Sequence, residues 1–312
     1  MAMQLSESTE PREVRIPVPW GFIAGKLWGD PTQETILAVH GLQDNANTFD
    51  RLVPLLLAGS ASHALLSIDL PGHGLSSHFP VGRPIYFMDV LSSVHRVIQW
   101  LVSKRQGINS VLYVGHSFGG QLGLYLAAVF PECVRKLVVL DAMVPGPTHI
   151  TKFLDKFKSA VGRMEEMEDK IVGSAPPTYT YEDILKKIKA RFYGDLSDEA
   201  ARILQSRSSR KSGDGYAFTL DQRLKFVVYH PFTKEQQFDL FTKITCPIQL
   251  IVAEQTRLGG GDYYAKRMEV FNACSCPCSI FPVEGNHDVH LEHPERVSPL
   301  IKQFLIKQKS SL

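Results

Sequence analysis

The stretch from Ser110 to Phe130 constrains this chain most. A compact apolar run, Val111-Leu-Tyr-Val114, leads directly into Gly115-His116-Ser117-Phe118-Gly119, and a helix-forming segment, Gly119-Gly-Gln-Leu-Gly-Leu-Tyr-Leu-Ala-Ala, follows at once. Gly-x-Ser-x-Gly is weak as a bare pattern. Between a buried strand and a helix it describes a turn so sharp that it needs small residues on both sides of the serine. Such a turn lifts the Ser117 hydroxyl to the carboxyl end of the strand and makes it the candidate nucleophile. It also points the Phe118 backbone N–H, at a helix N-terminus, toward any oxyanion formed beside the serine.

The surroundings give that turn a sheet to stand on. Arg15–Val18 and Phe22–Trp28 read as a first strand pair joined at Pro19-Trp20-Gly21. Thr35–Val39, Ala64–Ile68, Ser110–Val114 and Val134–Leu140 are short apolar runs suited to buried strands. Helical spacing separates them at Phe49–Leu57, at Met88–Val102 and at Gly119–Phe130. In Met88–Val102 the residues Val90, Leu91, Val94, Val97, Ile98, Leu101 and Val102 fall on one stripe. This alternation predicts an α/β fold with a mostly parallel central sheet flanked by helices.

The alternation stops after Asp141. From Val144 to His230 only helical or irregular segments are expected, with helices over Phe153–Asp169 and Tyr181–Tyr193 and a Ser/Arg/Lys-rich loop over Ser206–Gly215. Strands resume at Ile248–Ala253 and Ser279–Val283, with helices at Tyr263–Phe271 and Glu295–Ile306. One sheet domain interrupted by a helical insertion fits a chain of 312 residues.

Composition narrows the class. With 44% hydrophobic and 21% charged residues the chain is globular rather than disordered. A net charge of +2 without a Lys/Arg tract gives no nucleic-acid surface. The first residues are polar and no run approaches the roughly 20 apolar residues of a membrane span, so no secretory leader or span is expected. The expectation is an intracellular, cytoplasmic protein. The terminal Ser310-Ser311-Leu312 resembles a degraded peroxisomal address that lacks the basic middle residue, and is read as an untargeted tail. Cys274, Cys276 and Cys278 alternate before and within an expected strand, and are read as reduced, buried or half-buried thiols rather than metal ligands.

Gly285-Asn286-His287-Asp288 follows the last strand, where a loop can swing an imidazole back over the sheet edge to the serine. His287 is the candidate base; His290 and His293 lie nearer the last helix, where solvated or capping roles are expected. Together with His40-Gly-Leu-Gln-Asp-Asn-Ala46, Gly72-His-Gly-Leu-Ser-Ser77, Gly115-His-Ser-Phe-Gly-Gly120 and Asp221-Gln-Arg-Leu224, these residues resemble the α/β-hydrolase superfamily, and within it the animal serine hydrolase-like family of the Kraken type.

That resemblance implies a hydrolase core over 1–144 and 238–312 and a helical cap over 145–237. It implies a Ser-acid-His order and a second oxyanion donor, the Leu42 N–H, in the loop after the third strand. The acid is the open point. Its commonest position follows the strand that resumes after the insertion, and there this chain has Thr256, two residues past Glu254. Asp141, which ends the strand after the nucleophile helix, is the leading candidate, with Asp262 and Glu254 as alternatives. The expected function is acyl transfer to water from a small-molecule ester or thioester, without cofactor or metal. The rival is a non-catalytic small-molecule binding protein on the same scaffold.

Overall fold

The computed structural model describes residues 10–143, 145, 147–191, 194–256, 271–272 and 274–306. Asp262, the C-terminal tripeptide and nearly all of the helix expected over Tyr263–Phe271 lie outside the described residues.

Eight strands form the central sheet in the order β1-β2-β4-β3-β5-β6-β9-β10. They are β1 (Arg12–Val18), β2 (Gly21–Trp28), β3 (Glu34–Val39), β4 (His63–Ile68), β5 (Val111–His116), β6 (Val134–Leu140), β9 (Ile248–Ala253) and β10 (Cys278–Val283). β1 and β2 are antiparallel, as are β2 and β4, while every pairing from β4 onward is parallel. The parallel strands are apolar because helices cover both faces: β3 and β5 are buried almost end to end. The predicted strand positions hold to within a few residues.

The helices are α1 (Val53–Leu57), α2 (Phe87–Val102), α3 (Phe118–Val129), α4 (Ile150–Gly173), α5 (Tyr181–Lys189), α6 (Asp198–Ser208), α7 (Lys234–Phe241), α8 (Val289–Glu292) and α9 (Pro294–Leu305). α2 buries the predicted stripe, with Val90, Leu91, Val94, Val97, Ile98 and Leu101 no more than 3% exposed. Each such side chain contributes about 1.5–3 kcal/mol. The helix expected over Phe49–Leu57 is instead a 3-10 turn, Ala46–Phe49, followed by the short α1. Pro54 accounts for the break, since it fits only the first turn of a helix.

Residues between β6 and β9 form the insertion. It is not helical throughout: Ser209–Ser212 (β7) and Gly215–Phe218 (β8) pair as a hairpin where a loop was expected. Gly213 takes the positive φ at its tip, and Tyr179 bridges to Tyr216 along its edge. α5 and α6 bury Ile184, Ile188, Ala200, Ala201 and Leu204 against one another. Thr180 and Ser197 cap the two helices. The Asp221-Gln-Arg-Leu motif ties the insertion to the sheet domain. Arg223 pairs with Asp221 at 2.7 Å, and donates to the carbonyl oxygens of Phe79 and Pro80. Among the described residues no helix is long and apolar enough to cross a membrane.

Candidate active site

His40, Asp69, Ser117, Asp141 and the His287 loop all follow parallel strands at their carboxyl ends, which is where open α/β sheets place their sites. Ser117 sits at φ 49°, ψ −114°, between β5 and α3. Such a conformation is strained for a non-glycine residue and is characteristic of functional turns. The flanking glycines make it possible. A Cβ on Gly115 would lie 2.4 Å from the Gly119 carbonyl oxygen, and one on Gly119 would lie 2.1 Å from that of Val39. The Ser117 N–H donates to the Leu140 carbonyl, which fastens the turn to β6.

β6 ends on Asp141, also at a positive φ of 44° and only 1% exposed. Its N–H donates to the Ile251 carbonyl oxygen at 2.7 Å. Its Oδ1 accepts from the Ala253 N–H at 2.9 Å, and its Oδ2 lies 2.6 Å from His287 Nδ1. Thr256 Oγ1 donates to the same Oδ2 at 2.5 Å. The residue at the common acid position therefore touches the carboxylate that reaches the histidine. Glu254 is exposed, with its N–H bonded to the Val283 carbonyl oxygen. Asp262 lies outside the described residues.

His287 is 5% exposed and lines the same cavity as Ser117, Phe118, Gly41 and Leu42. The loop after β3 comes up against the serine: a Cβ on Gly41 would stand 3.1 Å from Ser117 Cβ. His40 serves that loop. Its Nδ1 bonds the Gly41 carbonyl oxygen and its Nε2 accepts from the Leu70 N–H at 2.9 Å. Burial holds the His40 imidazole well below its ordinary range, so it stays neutral. His293 is half-exposed beside Glu295, near the start of α9. His290 departs from expectation. It is fully buried, within the single turn α8, and its Nε2 lies 2.9 Å from Thr48 Oγ1.

The model of the alpha/beta hydrolase family matches residues 36–300. The chain belongs to the α/β-hydrolase family. It is 33% identical over 307 residues to a "Probable serine hydrolase" of Drosophila melanogaster, spanning 97% of this chain and 90% of that one. It is 34% identical over 302 residues to a "Serine hydrolase-like protein" of Danio rerio, spanning 95% and 89%. Among solved structures, a hypothetical protein from Pseudomonas aeruginosa PAO1 superimposes with a TM-score of 0.76 at 26% identity, over 94% of this chain and 97% of that one. A thioesterase domain from the curacin biosynthetic pathway gives a TM-score of 0.76 at 18% identity, over 93% and 98%, and so shares the fold.

In this α/β-hydrolase the cavity above Ser117 measures about 590 Å³. The sheet domain supplies its floor, and the insertion supplies Tyr179, Lys187, Arg191, Phe218, Leu220 and Tyr229 to its walls. A second hollow of about 280 Å³ adjoins it through the shared residues Gln121 and Tyr229. Phe153, Phe157, Val227 and Val228 line that hollow, and the two phenylalanine rings stack at 5.8 Å. Met164 is plain core beneath α4.

Sequence reasoning missed three elements of the site. Thr256 was noted only for not being an acid, and its hydroxyl is a donor to one. Arg191, on the insertion, reaches within 3.6 Å of Asp44 and 3.8 Å of Asp288. Asp44 itself is buried in the loop after β3, and desolvation raises its pKa to about 6. A lone Asp or Arg in a loop carries no sequence signal that separates these contacts from ordinary solvation.

Proposed function

We propose that this protein is a serine hydrolase that cleaves a carboxylic ester or thioester through a Ser117–His287–Asp141 triad and an acyl-enzyme. The 2.6 Å contact between His287 Nδ1 and Asp141 Oδ2, beside the strained serine turn, carries the reading. With Nδ1–H donating to the carboxylate, Nε2 is left as the base that takes the Ser117 proton during attack on a carbonyl carbon. The Phe118 and Leu42 N–H groups receive the developing oxyanion. His287 then gives its proton to the leaving alcohol or thiol, and water attacks the acyl-enzyme by the reverse geometry.

The insertion acts in this reading as a cap over 145–237 that shapes the substrate site. The main cavity takes the scissile group, and the hollow behind Gln121 and Tyr229 takes the apolar end of the acyl chain. The curated relatives named serine hydrolases support the class, and the esterase and thioesterase chemistries share this mechanism. The test is a panel of activated esters and acyl thioesters of graded chain length, with Ser117→Ala as control. Turnover with a chain-length optimum, absent in the control, is expected. Turnover undiminished by Ser117→Ala contradicts the triad. Saturable binding of the same compounds without turnover favours a binding protein instead.

A further inference from the structure

A buried polar cluster beneath the cavity has no part in that mechanism. Asp44, His116 and His290 come from the loop after β3, the end of β5 and α8, and are 4%, 1% and 0% exposed. One ring nitrogen of each histidine and one carboxylate oxygen of Asp44 lie within 4.8 Å of one another. Hydrogen bonding decides which atoms these are. His116 Nε2 is 3.0 Å from the His287 carbonyl oxygen, so Nε2 carries the proton and Nδ1 keeps a lone pair. Thr48 Oγ1 lies 2.9 Å from His290 Nε2. With Nε2–H donating to that hydroxyl, His290 Nδ1 keeps a lone pair as well.

His116 Nδ1, His290 Nδ1 and Asp44 Oδ2 have no hydrogen-bond partner among the described residues. Three buried acceptors facing one another repel, and leaving each unsatisfied is costly. A water molecule has two protons for three acceptors. Gly41 keeps space open at the cluster, since a Cβ there would stand 3.0 Å from His116 Nδ1.

We propose that Asp44, His116 and His290 form a binding site for one divalent transition-metal ion, of which zinc is the type. Two neutral imidazoles and a carboxylate are a donor set that suits zinc. Each imidazole donates its other N–H to a protein oxygen, as ligating histidines do. Asp44 and His116 also line the cavity, which gives the ion a route in. Arg191 stands 3.6 Å from Asp44 Oδ1 and 3.8 Å from Asp288 Oδ1, and so faces carboxylate oxygens other than the one left to the ion.

The test is titration of the chelator-treated full chain with cobalt chloride, followed by visible absorption, with zinc chloride as competitor. The thiols of Cys274, Cys276 and Cys278 could take the metal, so the measurement is repeated with all three replaced by serine. One equivalent of cobalt is expected, with bands of nitrogen and oxygen coordination, no thiolate charge-transfer band, and displacement by zinc. His290→Ala abolishes this binding. Thr48→Val, which removes only the hydroxyl that orients His290, weakens it by about 10–100-fold. Absence of saturable binding in the triple-serine chain overturns the proposal, as does binding there that survives both substitutions. The readout needs no hydrolysis, so it stands or falls apart from the triad.

Discussion

Asp141→Asn separates the charge of the acid from its shape. Asparagine tolerates the positive φ of 44° at this position and occupies the same volume. The carboxylate accepts on both sides, from the Ala253 N–H at Oδ1 and from Thr256 Oγ1 and His287 at Oδ2. An amide can accept on one side only. Turned with its NH2 toward Ala253 it sets donor against donor. Turned the other way it presents NH2 to His287 Nδ1, which then must accept, and the proton moves to Nε2. That tautomer cannot take the serine proton. The loss of turnover expected is on the order of 10³–10⁴-fold, or about 4–5.5 kcal/mol in the barrier, as for the corresponding replacement in a chymotrypsin-type triad. The folding cost is smaller, about 1–3 kcal/mol for a lost charge-assisted bond. Steady-state hydrolysis of an activated ester reads the first, and thermal denaturation reads the second. A variant with the parent's kcat/KM, or one whose activity falls only in proportion to its unfolded fraction, refutes the reasoning.

Three further outcomes are expected. Thr256→Val removes the hydroxyl donor to Asp141 Oδ2 and lowers kcat/KM by about tenfold, whereas Thr256→Ser restores it; equal losses in both would reduce Thr256 to packing. Gly119→Ala drives a methyl group to 2.1 Å from the Val39 carbonyl oxygen and costs about 3 kcal/mol or more, so an unchanged melting temperature would contradict the close approach. Acidification destabilises the fold through His40 and His73. Burial lowers His73 from 6.5 to about 4 and lowers His40 as well, so the unfolded chain takes up protons first. The His73 contribution is complete above pH 6.5 and drains away as pH falls toward 4, and that of His40 is lost in the same direction. Asp69, whose pKa burial raises, works in the opposite direction at the acid end of that window. The falling melting temperature should flatten in His73→Gln, and an unaltered slope would exclude that histidine.

The sheet was legible because buried parallel strands must be apolar, and short apolar runs between helical stripes have few other meanings. Ser117 was legible for a steric reason: Gly115 and Gly119 are excluded from carrying a Cβ by neighbouring backbone oxygens, and that exclusion is written as glycine. Asp141 was reached by elimination, since Thr256 cannot carry the charge, and its place beside His287 depends on pairing between β6 and β9, which no local pattern records. The hairpin at Ser209–Phe218 was hidden because its outer residues, Arg210 and Lys211, are solvated and its register is held by Tyr179 from elsewhere in the insertion. His290 was misread as solvated because the short helix α8, Val289–Glu292, turns it into the core. Arg191 and Asp44 meet across a long stretch of chain, and only tertiary structure brings them together.

Covalent labelling of Ser117 tests the central claim most directly. A fluorophosphonate is incubated with the native protein, and the modified peptide is located by mass spectrometry. One adduct per chain is expected on Ser117, lost on prior denaturation, lost in Ser117→Ala, and strongly slowed in His287→Ala. An adduct on another residue, or labelling that persists in Ser117→Ala, would contradict the assignment of the nucleophile.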